Sequence, residues 1–107
     1  MDLSGKRLLV LGGTISTYDV VKTARKLGAY VLVTDYLETG AAKEIADETV
    51  MVSTNDMEGL ERLILSKGID GVFTGASEFN IRNMIQICER MDLPVYITME
   101  QWDICSN

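Results

Sequence analysis

Gly12, Gly13 and Thr14, followed by Ser16 and Thr17, are the residues of this 107-residue sequence best suited to holding a ligand. They close an apolar run, Leu8–Leu11, and precede a helical pattern. Paired glycines let the backbone turn sharply and keep side chains out of the way of a bound group. The helix that follows offers N–H groups without intrahelical acceptors and the positive end of its dipole, which suits an anion. Thr14, Ser16 and Thr17 add hydroxyls, and Ser16 or Thr17 also has the chemistry of a helix cap. The same glycines serve a plain strand-to-helix turn, and both readings stand at this level.

Three further positions belong with that turn. Asp35 ends a second apolar run, Ala29–Thr34. In a dinucleotide-binding fold an acid there holds a ribose hydroxyl, so Asp35 is the cofactor-binding residue of a dinucleotide reading. Otherwise it is a solvated strand-end carboxylate or a cap on the loop 36–40. The glycine pattern does not match the dinucleotide fingerprint. Aligned from Gly12, the second and third glycines fall on Thr14 and Thr17, whose branched side chains obstruct the pyrophosphate and the helix packing. Gly75, Ser77 and Glu78 follow another apolar run. Glu78 suits a helix N-terminus electrostatically, and Ser77 or Glu78 can reach a ligand cradled by residues 12–14.

Alternating strands and helices must position these residues. The spacing predicts strands over Lys6–Leu11, Ala29–Thr34, Glu48–Val52, Asp70–Thr74 and Leu93–Ile97, the last with Pro94 at its start. Between them lie helical patterns. Val20, Val21, Ala24 and Leu27 form one stripe, ended by Gly28. Ala41–Ala46 is a short helix. Asn55 and Glu58 form a capping box before Met57, Leu60, Leu63 and Ile64, which Gly68 closes. Ser77 opens a helix with the stripe Ile81, Met84, Ile85, Cys88 and Met91. Thr98 and Gln101 form a last capping box before Trp102 and Cys105. Alternation of this kind predicts an α/β fold: a doubly wound parallel sheet of about five strands, order 3-2-1-4-5, between two helical layers. Ligands of such sheets bind outside the carboxyl ends of the strands where the winding reverses. Here that switch point falls between the turns 12–14 and 75–78.

Composition bounds the function. The length fits one domain, residues 1–107. A net charge of −6 argues against a nucleic-acid partner, which selects a basic surface. Cys88 and Cys105 sit in helical patterns and there is no histidine, so they read as buried thiols rather than a metal pair. Neither a signal peptide nor a run of ~20 apolar residues is visible, which leads to the expectation of a cytoplasmic chain with no membrane partner.

The ordered set LLVLGGTISTYDVVKTARKLGAYVLVTDY, IADETVMVSTND, IDGVFTGASEF and CERMDLPVYITMEQWDIC resembles the N-terminal, Rossmann-like domain that precedes the ATP-grasp fold in ATP-grasp ligases. It looks closest to carbamoyl-phosphate synthetase large-chain-like proteins. The resemblance covers nearly the whole chain. It implies a parent enzyme that uses ATP and Mg²⁺ to activate a carboxylate as an acyl phosphate and passes the acyl group to a nucleophile, commonly an amine. The ATP and metal sites of such enzymes lie in the following domains, so this chain is expected to carry no cofactor and no catalytic residue of its own. Its partners are then a small anionic or carboxylate substrate and the missing ATP-grasp domain. The implied substrate-binding positions are Gly12, Gly13, Thr14, Ser16, Gly75, Ser77 and Glu78. A dinucleotide-binding module using Asp35, and a structural or regulatory docking domain, remain the alternatives.

Overall fold

A computed structural model describes residues 2–37, 39–75 and 77–95. Strand and helix alternate over the described residues: β1 (Arg7–Leu11), α1 (Ile15–Lys26), β2 (Tyr30–Thr34), α2 (Ala41–Ile45), β3 (Glu48–Val50), α3 (Met57–Lys67), β4 (Gly71–Thr74) and α4 (Glu78–Arg90). The four strands pair in parallel in the order β3-β2-β1-β4. Leu9 of β1 stands opposite Leu32 of β2 and Val72 of β4.

Both faces of the sheet are covered, which is why β1 is apolar at successive residues rather than alternate ones. Leu8, Val10, Val31, Val33 and Phe73 point to one layer and pack with Val21 and Ala24 of α1 and Ala42 of α2. Leu9, Leu11, Leu32 and Val72 point to the other, with Leu60, Leu63 and Ile64 of α3 and Met84, Ile87 and Cys88 of α4. Full burial of one such side chain is worth about 1.5–3 kcal/mol. The expected three-layer, doubly wound α/β architecture is therefore present.

Helix ends show where local signals were sufficient. After α1, the N–H groups of Gly28 and Ala29 donate to the carbonyls of Arg25 and Ala24, and Gly28 takes φ = 100°. This reciprocal pair satisfies carbonyls that the helix leaves open. The same arrangement ends α4, with Asp92 at φ = 55° in the glycine position.

Several boundaries differ from the expectation. The cap of α3 is Asp56, not Asn55: the Asp56 carboxylate accepts from the Gly59 N–H at 3.0 Å, whereas Asn55 accepts from the Ser53 hydroxyl. β3 stops at Val50 rather than Val52. The buried stripe of α4 takes in Ile87, while Ile81 and Ile85 stay half-buried, because the face of Met84, Ile87 and Cys88 is the one packed on β4 and α3. The fifth strand was expected over Leu93–Ile97. Leu93–Val95 is irregular, and the remainder, with the Thr98–Gln101 capping box, Trp102 and Cys105, lies outside the described residues.

Candidate functional site

The carboxyl ends of β1 and β4 lie side by side, and the turns that leave them start helices in opposite layers. Gly12 takes φ = 103°, a region closed to most side chains. Its N–H donates to the Thr34 carbonyl at 2.9 Å, and its carbonyl accepts from the Thr17 hydroxyl at 2.6 Å. Thr17 is fully buried and also donates to the Thr14 carbonyl. It is thus an internal brace of the turn, and neither it nor Ser16 caps the helix. The cap position is Thr14, whose hydroxyl meets that of Ser16 at 3.1 Å instead of a backbone N–H.

Asp35 reaches back into the same turn. It is 6% exposed, and its Oδ2 accepts from the Gly13 N–H at 2.8 Å while Oδ1 accepts from Leu37 N–H at 3.3 Å. The carboxylate is therefore a strut between two loops. One of the amides expected to face an anion is occupied by it, which leaves Thr14, Ile15 and Ser16 as the outward part of the turn. On the other side the Gly13 carbonyl accepts from the Ala42 N–H at 3.1 Å.

Lys43 was not foreseen from the sequence. It is 8% exposed, and its Nζ donates to the carbonyls of Leu37 and Asp35. Its stem lies across Gly13: a Cβ there would meet Lys43 Cγ at 2.7 Å. A lysine in a short helical segment carries no local sign of such burial. The nearest available sign was Gly40. A Cβ on Gly40 would overlap the Gly13 carbonyl oxygen, so the second loop closes on the first only through a glycine.

The fourth loop closes on the first in the same way. A Cβ on Gly75 would overlap the Ser16 carbonyl oxygen. Ser77 caps α4 as expected, accepting from the Asn80 N–H at 3.4 Å, and Glu78 stands exposed in the first turn. The structure thus gathers Gly12, Gly13, Thr14, Ser16, Gly75 and Ser77 around one edge, with Glu78 on its rim and Asp35 beneath it. Asn80, whose Nδ2 would lie 3.0 Å from a Cβ on Gly12, also belongs here and was not singled out from the sequence; Asn83 is buried one turn further along α4. Asn80 Oδ1 and Asn83 Nδ2 are buried with no hydrogen-bond partner. Such an orphan costs about 1–3 kcal/mol.

Around this polar centre the edge is apolar. Ile15, Tyr36, Leu37, Met51 and Phe79 are exposed, Ile15 by 75% and Phe79 by 57%, and each follows the carboxyl end of a strand. Among the described residues, no three or more His, Cys, Asp or Glu side chains group as metal ligands. Burial pushes the Cys88 thiol up to about 11, so it is inert packing on the α4 face. Among the described residues no helix is long and apolar enough to cross a membrane.

No protein-family model matches the chain, and no curated protein matches it. Solved structures do. N5-carboxyaminoimidazole ribonucleotide synthetase from Thermotoga maritima is 25% identical, with a TM-score of 0.64, over 79% of this chain and 23% of that one. Phosphoribosylglycinamide synthetase from Anaerococcus prevotii is 24% identical, with a TM-score of 0.71, over 83% and 23%. The architecture also occurs outside the synthetases: CobK precorrin-6A reductase is 24% identical, with a TM-score of 0.64, over 82% and 36%. The chain spans under a quarter of the length of either synthetase. Taken with the parallel sheet and its switch point, these neighbours give the chain the fold of the N-terminal domain of ATP-grasp ligases.

Proposed function

We propose that this chain is the substrate-side N-terminal domain of an ATP-dependent carboxylate–amine ligase of carbamoyl-phosphate synthetase-like type, without catalytic activity on its own. The observation that carries this reading is the carboxyl edge of the sheet. There the turn 12–16 and the start of α4 meet across the β1/β4 switch point, with glycines at the points of closest approach. The likeness to two synthetases supports it. A small anionic or carboxylate substrate would bind at Thr14, Ile15 and Ser16. Unlike α3 and α4, α1 has neither a side-chain cap bond nor an acid in its first turn, so nothing of its own competes with an anion there. The exposed fringe of Ile15, Tyr36, Leu37, Met51 and Phe79 would be covered by the ATP-grasp domain, since apolar surface of this kind marks contact faces. ATP and Mg²⁺ belong to that domain, and the assembled enzyme would work in the cytoplasm.

A phosphate titration followed by backbone amide NMR tests the site. The largest shifts are expected at Thr14, Ile15 and Ser16, with Gly13 moving less because its N–H is held by Asp35. Shifts centred elsewhere would refute the placement. ATP turnover by the purified chain, lost on Glu78→Gln, would refute the non-catalytic role. The dinucleotide reading loses support from the position of Asp35, whose carboxylate already serves Gly13 and Leu37. NADH is accordingly expected to bind no tighter than about 1 mM, roughly −4 kcal/mol. Micromolar binding abolished by Asp35→Ala would reverse that ranking.

A further inference from the structure

The exposed apolar side chains are grouped, and the charges around them are sorted by sign. Among the described residues the large exposed apolar side chains are Ile15, Tyr36, Leu37, Met51 and Phe79, with Leu65 and Val95 elsewhere. The first five follow β1, β2, β3 and β4, so every loop leaving the carboxyl edge presents at least one. Tyr36 is 67% exposed and Met51 61%. Around them, α2, α3 and α4 carry Glu44, Glu58 and Glu78 in their first turns, and Asp56 caps α3. All four acids are exposed. They stand at the carboxyl edge because each of these helices starts after a strand of the parallel sheet. Arg25, Lys26, Lys67 and Arg90 lie in last turns, at the opposite edge. Lys43 is buried and donates to two carbonyls. Arg62 and Arg82 are exposed one turn on from Glu58 and Glu78, and among the described residues neither pairs with that glutamate. The exposed Asp19 stands at the same depth on α1, so the acids outnumber the bases around this edge.

We propose that the carboxyl edge docks a protein surface that is apolar at its centre and carries lysine or arginine at its rim. The inference rests on the reading of this edge as the contact face of the ATP-grasp domain and adds the chemistry of the surface that faces it. One exposed apolar residue is ordinary, but a set of them on one edge marks a contact face. Burying that set holds the partner, while the surrounding charges select it and speed its approach. Each acid also suits the dipole of its own helix, and the field at the edge is the same whatever placed it there. A second copy of this chain is a poor occupant. A two-fold contact across this edge would set Asp56, Glu58 and Glu78 against the same acids of its mate. An anionic lipid surface is repelled for the same reason. The first turn of α1 has no acid, so the anion subsite and the acidic rim sit on different helices.

The test titrates the ¹⁵N-labelled chain with three synthetic peptides: an amphipathic leucine–lysine helix, the same helix with glutamate for each lysine, and a lysine peptide without leucine. The leucine–lysine peptide is expected to shift the amides of Ile15, Tyr36, Leu37, Met51 and Phe79, and to bind more weakly as salt is added. Neither of the other two should move these signals. Equal binding of the leucine–glutamate peptide at the same residues would overturn the proposal and leave the edge standing as a contact face. Leucine–lysine shifts centred on Leu65 or on the amino edge would overturn both. Broadening of the five signals with protein concentration alone would assign the face to a second copy, and the proposal falls. Glu58→Gln combined with Glu78→Gln keeps side-chain size and puts no cation at a helix start. This pair should weaken the leucine–lysine peptide about three- to tenfold. Glu58→Lys combined with Glu78→Lys should reverse the preference between the two leucine peptides. Unchanged affinity in the glutamine pair is enough to sink the proposal, whether or not the lysine pair folds.

Discussion

At the amino edge of the sheet the side chains satisfy one another, whereas at the carboxyl edge they do not. The amino edge joins Arg7, Tyr30, Glu48 and Lys67 into one network. The Arg7 guanidinium lies 4.4 Å over the Tyr30 ring and donates to the Lys67 carbonyl. The Tyr30 hydroxyl donates to Glu48 at 2.8 Å, and Lys67 pairs with the same carboxylate at 2.7 Å. Arg25 and Asp47 form a second pair on that side. The carboxyl edge has exposed Ile15, Tyr36, Met51 and Phe79, the Asn80 Oδ1 buried without a partner, and loops packed backbone to backbone through glycine. One edge has its partners within the chain. The other has the composition of a surface that is completed by something else.

That contrast can be broken most forcefully at the glycines. Gly75→Ala places a methyl group into the Ser16 carbonyl, so it should cost about 2–3 kcal/mol or more in urea unfolding. Gly5→Ala, near the amino edge, meets nothing within 4 Å and bears only the strain of φ = 82°, roughly 1–2 kcal/mol. If both variants cost the same, the carboxyl loops are not clamped as described.

Next in size is the strut. Asp35→Asn keeps the shape but weakens the bond to the Gly13 N–H, a loss of about 1.5–3 kcal/mol for a buried charge-assisted hydrogen bond. The Gly13 amide resonance should move with it. A stable variant with an unmoved Gly13 signal would mean that the carboxylate does not hold the turn.

At the amino edge the effects should be small and sensitive to salt and pH. Arg25→Gln removes a half-exposed pair and should cost about 0.5 kcal/mol, with the difference vanishing at high salt. Lys67, helped by the Tyr30 hydroxyl, holds the Glu48 carboxyl below its ordinary value of 4.5. Because the folded value is the lower one, the stabilisation is fully present above 4.5 and fades as the pH falls below it. Glu48→Gln should therefore flatten the acid limb of the stability curve while leaving the plateau at neutral pH only slightly lower. An unchanged acid limb would remove Glu48 from the network's energetics.

How far the sequence carried the site depends on the residue. Ser77 was legible as a cap because its acceptor role spans only three residues. Asn55 was read as the cap of α3, but the neighbouring Asp56 takes that role, with Gly59 leaving room for its carboxylate. Thr17 was misread because a hydroxyl near a helix start has two uses, outward to a free N–H or inward to the turn, and only the packing of α1 on the sheet decides between them.

Strand and helix periods, glycine stops and the alternation of elements are local properties, and they determined the parallel three-layer fold without reference to any partner. Which groups meet across the carboxyl edge depends on strands lying ~4.8 Å apart and on helices packed over them. Asp35 therefore found Gly13 across 22 residues, Lys43 turned inward over a glycine, and Asn80 Oδ1 and Asn83 Nδ2 were buried unpaired, all through packing that only the tertiary structure creates.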